Sequence, residues 1–260
     1  MTYETIEIAR DGDVLTLTLN KPDRLNAASL AMADELSAAL DDLHGAHAVL
    51  ITGAGRAFCS GADLQSRGDA SVSGGQASYA ALTRHYNPLM LKLARLPVPI
   101  VTAVNGPAAG IGCSLALAGD FAIAGNSAYF LQAFVNIGLV PDGGASWMLP
   151  RLIGKARATE MMLLGEKISA AKAESWGLVY KCVDDAVLID EARALAARLA
   201  AGPTVAIGVM RQNIAAALDA DYASALLAEA EGQRIAASSA DAIEGGVAFL
   251  QKRKAAFQGR

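Results

Sequence analysis

Two glycine-rich segments are the parts of this 260-residue sequence whose residue types and spacing could do chemistry. Residues 53–63 follow an apolar run at 48–52, and residues 105–112 follow a second one at 99–104. Glycines allow close backbone approach to a ligand, and N–H groups at a helix start are unpaired and favour negative charge. Two such loops side by side could aim two N–H donors at one oxygen and stabilise an enolate or a tetrahedral oxyanion. The glycines could instead only permit tight turns, so composition alone leaves both interpretations open.

Several other catalytic patterns are missing from the sequence. Gly110-Ile111-Gly112 lacks the third glycine of a dinucleotide-binding fingerprint, and no P-loop lysine follows either segment. No Gly-x-Ser-x-Gly nucleophile elbow occurs. His44, His47 and His85 show no metal-ligand spacing, and we expect His44 and His47 to be ordinary surface residues. We therefore expect no metal and no separate cofactor.

Hydrophobic periodicity predicts the elements that must position these segments. A hairpin across Asp11-Gly12-Asp13 precedes a helix that begins after Ser29. The polar stretch 66–78 is typical of a lid. The other predicted strands lie at 48–52, 99–104, 121–124 and 179–183. Of the other predicted helices, one ends near Arg95, one spans 113–119, one is interrupted by Pro150 and one lies between Ser169 and Gly177. The last four predicted helices span 185–201, 204–218, 222–236 and 240–254. No linker divides the chain, so we predict one continuous α/β domain.

The composition excludes several classes of protein. With 53% hydrophobic and 18% charged residues, the chain is globular rather than disordered or fibrous, and its net charge of -4 argues against nucleic-acid binding. The scattered cysteines Cys59, Cys113 and Cys182 do not form a disulfide framework, and the first residues do not resemble a secretory signal. The longest apolar region, 98–118, is broken by prolines and glycines and predicts no membrane span. We expect a cytoplasmic protein.

Four separated motifs resemble one known family. In order and spacing, the sequence is similar to the crotonase (enoyl-CoA hydratase/isomerase) superfamily at Asn20–Ala27, Arg56–Leu64, Val104–Cys113 and Ala248–Arg253. The resemblance implies an α/β fold, the crotonase (ClpP-like) spiral of repeated ββα units. It further implies a core over residues 1–200 and a helical C-terminal oligomerisation region over 201–260, assembled as a homotrimer or a dimer of trimers.

The resemblance also implies roles for individual residues. The backbone N–H groups of Ala62 and Ile111 would form the oxyanion hole for an acyl-CoA thioester. Two short stretches would line the path of the adenosine and pantetheine parts of CoA. The first consists of Asp23, Arg24 and Leu25, and the second of Ala62, Asp63 and Leu64. Phe249 and Lys252 lie where the family closes the CoA site, often from a neighbouring subunit. CoA is thus part of the substrate.

The two glutamates that hydrate an enoyl-CoA in this family have no counterparts here. Ser114 occupies the first position and Phe134 the second, and neither can act as a general base for water. A carboxyl group follows in Pro141-Asp142-Gly143, as in family members that isomerise ring-opened phenylacetyl-CoA or 3-enoyl-CoA. Asp142 would remove an α- or γ-proton and return it at the other carbon, and an apolar wall would raise its pKa. Asp142 could instead cap the helix that begins near Gly144.

Three functions are therefore open from the sequence. The first is an acyl-CoA isomerase that acts through Asp142. We expect it to bind neither nucleic acid nor a membrane. The second is an enoyl-CoA hydratase or acyl-CoA hydrolase with a non-standard acid–base group. The third is a homologue that binds acyl-CoA without turning it over.

Overall fold

The computed structural model of the protein describes residues 3–63 and 74–260, and a six-stranded sheet forms its centre. The first two strands pair antiparallel as the predicted hairpin, and every later pair in this sheet is parallel. Parallel strands need crossover connections, which the helices provide. In the order of the sheet, the strands are β1 (Ile6–Asp11), β2 (Val14–Leu19), β3 (Ala48–Gly53), β4 (Ile100–Val104), β6 (Phe121–Gly125) and β9 (Lys181–Val183).

A second, three-stranded sheet consists of β5 (Pro107–Ala109), β7 (Tyr129–Leu131) and β8 (Ile168–Ser169). The sequence did not predict it, because strands of two or three residues carry no visible alternation of polarity. The prediction of a turn through Gly112 and a helix from Cys113 was wrong in its boundaries. Residues 107–109 pair with β7, and the helix begins two residues earlier than predicted.

The helices surround the sheets. Ser29 caps the first helix as predicted, since its Oγ accepts a hydrogen bond from the Met32 N–H at 3.0 Å. A π-helical segment, Leu82–Tyr86, joins the second and third helices. The helices are α1 (Leu30–Asp41), α2 (Gly74–Ala81), α3 (Asn87–Arg95), α4 (Ile111–Leu117), α5 (Ala145–Leu164), α6 (Ala170–Ser175), α7 (Leu188–Ala200), α8 (Thr204–Ala217), α9 (Tyr222–Ala237) and α10 (Ala240–Leu250). None of these helices of the described residues could cross a membrane.

Three sequence expectations about helices differ from the structure. In α5, the backbone leaves helical geometry at Gly154 (φ 75°, ψ 160°) and not at Pro150. The last helix ends at Leu250, short of the predicted 254, because the chain turns at Lys252 with φ of 53°. Of the proposed lid, residues 66–73 lie outside the described residues, and residues 74–78 belong to α2.

The middle strands of the large sheet are buried on both faces. On one face Leu50, Val101 and Ile123 pack against the small residues of α7, including Ala192 and Ala196. On the other face the sheet packs against the larger core, to which α1, α3 and α4 contribute. Each residue of β4 is buried, as its unbroken apolar run predicted.

This burial determines where the two glycine-rich segments begin. Because β3 and β4 are neighbouring parallel strands, the chain leaves both at the same edge of the sheet. Ligands of open parallel sheets bind beyond the carboxyl ends of the strands. We call residues 54–63 the first loop and residues 105–110 the second loop.

Candidate active site

Hydrogen bonds between the two loops fix their register. The Cys59 N–H donates to the Pro107 carbonyl at 3.0 Å, and the Ala109 N–H donates to the Cys59 carbonyl at 2.9 Å. A Cβ atom at Gly112 would lie 2.3 Å from that same Cys59 carbonyl oxygen, so only glycine lets α4 approach the first loop this closely. The start of α4 is therefore held directly against the first loop.

Two asparagine side chains reinforce this arrangement. Asn105 donates through Nδ2 to the Gly53 carbonyl at 2.8 Å, and its Oδ1 accepts from the Gly53 N–H at 3.2 Å. The fully buried Asn26 donates to the carbonyls of Ala54 and Ala57 at 2.9 Å and 2.8 Å. Since unpaired buried polar groups are costly, these amides stabilise one conformation of the first loop.

The arrangement leaves two backbone N–H groups, those of Ala62 and Ile111, without a hydrogen-bond partner among residues 3–63 and 74–260. Ile111 is the first residue of α4, where an N–H has no acceptor within the helix. A Cβ atom built on Gly110 would lie 3.8 Å from the Gly61 Cα, so the loops run close together next to both groups. Two N–H donors in one place can stabilise a developing oxyanion.

Ala62 and Ile111 line one cavity of about 470 Å³, a volume typical of small-molecule sites. Its walls come from the two loops, the helical segment 77–86 and the stretch 133–142. The last of these walls is mainly apolar and includes Phe134, Ile137, Leu139 and Val140. Phe134 thus makes this side of the cavity apolar, as its position in the sequence predicted.

Asp142 lines the same cavity, and its placement depends on Gly143. Gly143 has φ of 59°, and a Cβ atom there would lie 2.5 Å from Ile111 Cδ1, so glycine allows this turn to pack against α4. The Ser114 hydroxyl donates to the Asp142 carbonyl at 3.0 Å. The N-cap of α5 is Gly144, and no side chain caps this helix, so the helix-cap interpretation of Asp142 is wrong.

The Asp142 carboxyl group lies in an environment that disfavours its charge. Its Oδ1 atom is buried and has no hydrogen-bond partner among the described residues. Burial raises the pKa of Asp142 from its usual 3.8 to about 6, because the charged form loses hydration. A carboxylate with a pKa near neutrality is ionised at physiological pH and still holds a proton readily, which suits acid–base catalysis.

The segment predicted to line the CoA path lies against the first loop. Arg24 forms an ion pair with Asp63, a cavity residue, at 2.9 Å. Leu25 has φ of 52°, and its carbonyl accepts a hydrogen bond from the Ser60 N–H at 3.0 Å. Asp23 is exposed in the turn that precedes them. These contacts place Arg24 and Leu25 beside the cavity wall, whereas no contact between Asp23 and the first loop is seen among the described residues.

Among the described residues, Phe249 and Lys252 do not line this cavity. Leu64 lies outside the described residues. Phe249 is 83% exposed on α10, and Lys252 is exposed just beyond the end of that helix. The structure therefore does not bring Phe249 and Lys252 together with Asp142 within one chain.

The π-helical segment contributes four cavity residues that were not predicted from the sequence: Leu82, Arg84, His85 and Tyr86. The Tyr86 hydroxyl donates to the Ala28 carbonyl at 2.7 Å. A π-helical turn shifts the helical period, so a search for a 3.6-residue repeat does not reveal which side chains face the cavity.

Several known proteins are similar to this chain over nearly its whole length. The family model "Enoyl-CoA hydratase/isomerase" matches residues 9–260. The chain is 44% identical to the 1,2-epoxyphenylacetyl-CoA isomerase of Escherichia coli K12, over 95% of each chain. It is 43% identical, over the full length of both, to a protein named as a probable enoyl-CoA hydratase in Rhodobacter capsulatus. The crystal structure of an enoyl-CoA hydratase from Bacillus anthracis superposes with a TM-score of 0.92 at 30% identity, covering 99% of this chain and 100% of the other.

The environment of Asp142 predicts a pH-dependent effect of Asp142→Asn on stability. Because the pKa of Asp142 is raised, the folded protein binds more protons than the unfolded chain between pH 3.8 and about 6, so stability falls as pH rises through this window. The neutral variant escapes this loss. Relative to the wild type, we expect Asp142→Asn to gain about 1 to 3 kcal/mol of unfolding free energy between pH 4 and pH 7.

Urea unfolding of both proteins at several pH values measures this difference. The control is Asp11→Asn, which removes an exposed carboxyl group and should produce little change over the same range. A difference between Asp142→Asn and the wild type that stays constant with pH would contradict the raised pKa of Asp142.

Proposed function

Because this chain belongs to the enoyl-CoA hydratase/isomerase family of enzymes, we propose that it is an isomerase that moves a double bond in an enoyl-CoA thioester, with Asp142 as the proton carrier. The crotonase α/β fold predicted from the sequence motifs is confirmed by the family match and the solved structures. One observation carries the proposal: a buried Asp142 oxygen and two backbone N–H groups lie in one cavity, and none of the three has a hydrogen-bond partner among the described residues.

The two N–H groups bind the thioester oxygen in this proposal. The carbonyl oxygen of the substrate accepts hydrogen bonds from the Ala62 and Ile111 N–H groups. As an adjacent C–H bond is broken, negative charge accumulates on this oxygen, and the hydrogen bonds become stronger. Donors fixed in the folded protein need no reorganisation at this moment, so they lower the barrier to enolate formation.

Asp142 moves the proton between two carbons of the acyl group. In a 3-enoyl-CoA, its carboxylate removes a proton from C2, and the C–H electron pair delocalises over C4, C2 and the thioester oxygen as a dienolate. The carboxylic acid then returns the proton at C4. The thioester carbonyl re-forms and the double bond lies between C2 and C3, with no net change in atoms or charge. A pKa of about 6 suits both halves of this exchange.

The residues at the positions of the family's two glutamates favour isomerisation over hydration. Hydration requires a group that activates water on the substrate, and the two positions that supply such groups in this family are Ser114 and Phe134. The Ser114 hydroxyl is fully buried and donates to a backbone carbonyl, and Phe134 contributes an apolar side chain to the cavity. An apolar wall keeps water from the enolate and maintains the raised pKa of Asp142.

The test is conversion of 3-hexenoyl-CoA to the conjugated 2-enoyl-CoA by the wild type and by Asp142→Asn. We expect kcat of the variant to fall by about 100- to 10,000-fold, because the amide cannot accept the proton. Binding of a saturated acyl-CoA should persist. Absorbance of the conjugated product and its mass measure the reaction, since isomerisation leaves the mass unchanged.

Each alternative gives a different result. A product heavier by one water from 2-hexenoyl-CoA would indicate a hydratase, as the name of the Rhodobacter capsulatus relative suggests. If the protein binds both hexenoyl-CoA esters but converts neither, the next substrate to test is 1,2-epoxyphenylacetyl-CoA, which the name of the Escherichia coli relative suggests. Binding without turnover of all three would contradict the isomerase proposal and favour a binding protein.

We also propose that the chain assembles as a homotrimer or a dimer of trimers through its C-terminal helices. Large apolar side chains remain exposed on α9 and α10. Leu227, Ile243, Phe249 and Leu250 are each at least 68% exposed. A contiguous group of apolar side chains is rarely left in water on a monomer, and burial against other subunits would remove it from solvent. Such an assembly would also give Phe249 and Lys252 a route to a neighbouring CoA site.

Light scattering coupled to size exclusion tests the assembly. We expect a mass of three or six times 26.7 kDa for the wild type. Leu227→Asp should shift the mass towards that of one chain, because a charge would be buried between subunits. Leu163→Asp, the same change at an exposed residue of α5, is the control and should preserve the assembly. A wild type that runs at 26.7 kDa would contradict the proposal.

A further inference from the structure

One polar pair in the cavity wall has no role in the proposed reaction. His85 lines the cavity, and its Nδ1 lies 2.7 Å from the Asp34 Oδ1 of α1. The His85 side chain is about one quarter exposed, whereas Asp34 faces solvent. The pair therefore spans from the protein surface to the inside of the cavity.

The π-helical segment explains why this histidine reaches both places. The Asn87 N–H donates to the Leu82 carbonyl, five residues back, so the turn contains one residue more than an α-helical turn. Such insertions occur frequently at functional sites, because the extra residue changes which side chains face a ligand. Here Leu82, His85 and Tyr86 all line the cavity.

The contact with Asp34 determines the proton positions on the imidazole ring. A carboxylate only accepts hydrogen bonds, so the proton in this contact belongs to His85 Nδ1. In a neutral imidazole the other nitrogen, Nε2, then carries a lone pair and accepts. His85 Nε2 has no hydrogen-bond partner among the described residues. A residue of the cavity wall thus carries an oriented acceptor that no described residue uses.

We propose that His85, oriented by Asp34, is a specificity-determining residue that accepts a hydrogen bond from a hydroxyl group on the acyl chain of the substrate. This inference rests on the proposed acyl-CoA site and names a class of acyl group for it. A hydroxyl group suits the site because it can donate a hydrogen bond to the lone pair of Nε2. A carboxylate has no hydrogen to donate, and its lone pairs would repel that of Nε2. A site that forms a hydrogen bond to a substrate hydroxyl rejects the analogue that lacks it.

The experiment compares the binding of hexanoyl-CoA with that of 4-, 5- and 6-hydroxyhexanoyl-CoA by calorimetry at pH 8. For the wild type, we expect at least one hydroxylated ligand to bind about 3- to 10-fold more tightly than hexanoyl-CoA, the range that one hydrogen bond provides. His85→Phe keeps an aromatic ring without the acceptor and should bring this ratio close to 1. His85→Gln, which has an amide oxygen, should recover part of the preference.

Two further variants separate orientation and structure from recognition. Asp34→Asn should lower the ratio of hydroxylated to unhydroxylated ligand affinity. An asparagine amide can donate as well as accept a hydrogen bond, so it does not fix the proton of the imidazole at Nδ1. His44→Phe disrupts a surface pair of the same kind, His44 Nδ1 with Asp42 Oδ2 at 3.1 Å, and should leave the ratio as in the wild type. If His85 only joined α1 to the π-helical segment, His85→Phe would weaken all four ligands equally. That outcome, or a wild-type ratio near 1 for every hydroxylated ligand, would overturn the proposal.

The result is independent of the reaction proposed above. Binding ratios do not require turnover, and isomerisation of 3-hexenoyl-CoA by the wild type is measured separately. A hydroxyl preference that depends on His85, in a protein without isomerase activity, would refute the isomerase and retain the role of His85. Isomerase activity without a hydroxyl preference would refute the role of His85 and retain the isomerase.

Discussion

The hydrogen bonds between the two loops are the constraint on which the rest of the site depends. They join the loops after β3 and β4 through Cys59, which both donates and accepts across the gap. Once this register is fixed, the N–H groups of Ala62 and Ile111 lie in one cavity and have no acceptor among the described residues. Donors left unpaired reduce stability, and a ligand oxygen can satisfy both. In the proposed reaction, these donors are in place for an anionic oxygen before any substrate arrives.

The position of Asp142, the proposed acid–base group, depends on the same contact surface. Gly143 packs against Ile111 and Ser114, so the position of Asp142 is set by the helix that supplies one of the N–H donors. Burial raises the pKa of this carboxyl group to about 6, which would let it exchange a proton near neutral pH in the proposed reaction. The carboxylate and the donors are consequently fixed relative to each other by the packing of one turn on one helix. A structure that kept Asp142 solvated would lose this advantage even with the N–H groups in place.

Most of the fold and the centre of the site could be predicted from the sequence, because their signals are local. Unbroken apolar runs predicted β3 and β4, and Ser29 was recognisable as a cap because capping depends on neighbouring residues alone. The motifs indicated Ala62, Ile111 and Asp142, but only the structure excluded the capping alternative for Asp142. The strands β5, β7 and β8 are too short for a periodic signal. His85 was missed because its importance depends on a π-helical turn and on Asp34, which lies 51 residues away in the chain.

The most direct measurement of the central claim compares kcat of Ile111→Pro with that of Ile111→Ala on 3-hexenoyl-CoA. Proline is tolerated at the first position of a helix and removes the N–H, whereas alanine shortens the side chain and keeps the N–H. Since the Ile111 N–H has no partner among the described residues, no other hydrogen bond of the described protein is lost. We expect kcat of the proline variant to be lower than that of the alanine variant by about 100- to 1000-fold, with the fold intact by circular dichroism. Equal kcat values in the two variants would show that this N–H does not stabilise the reaction.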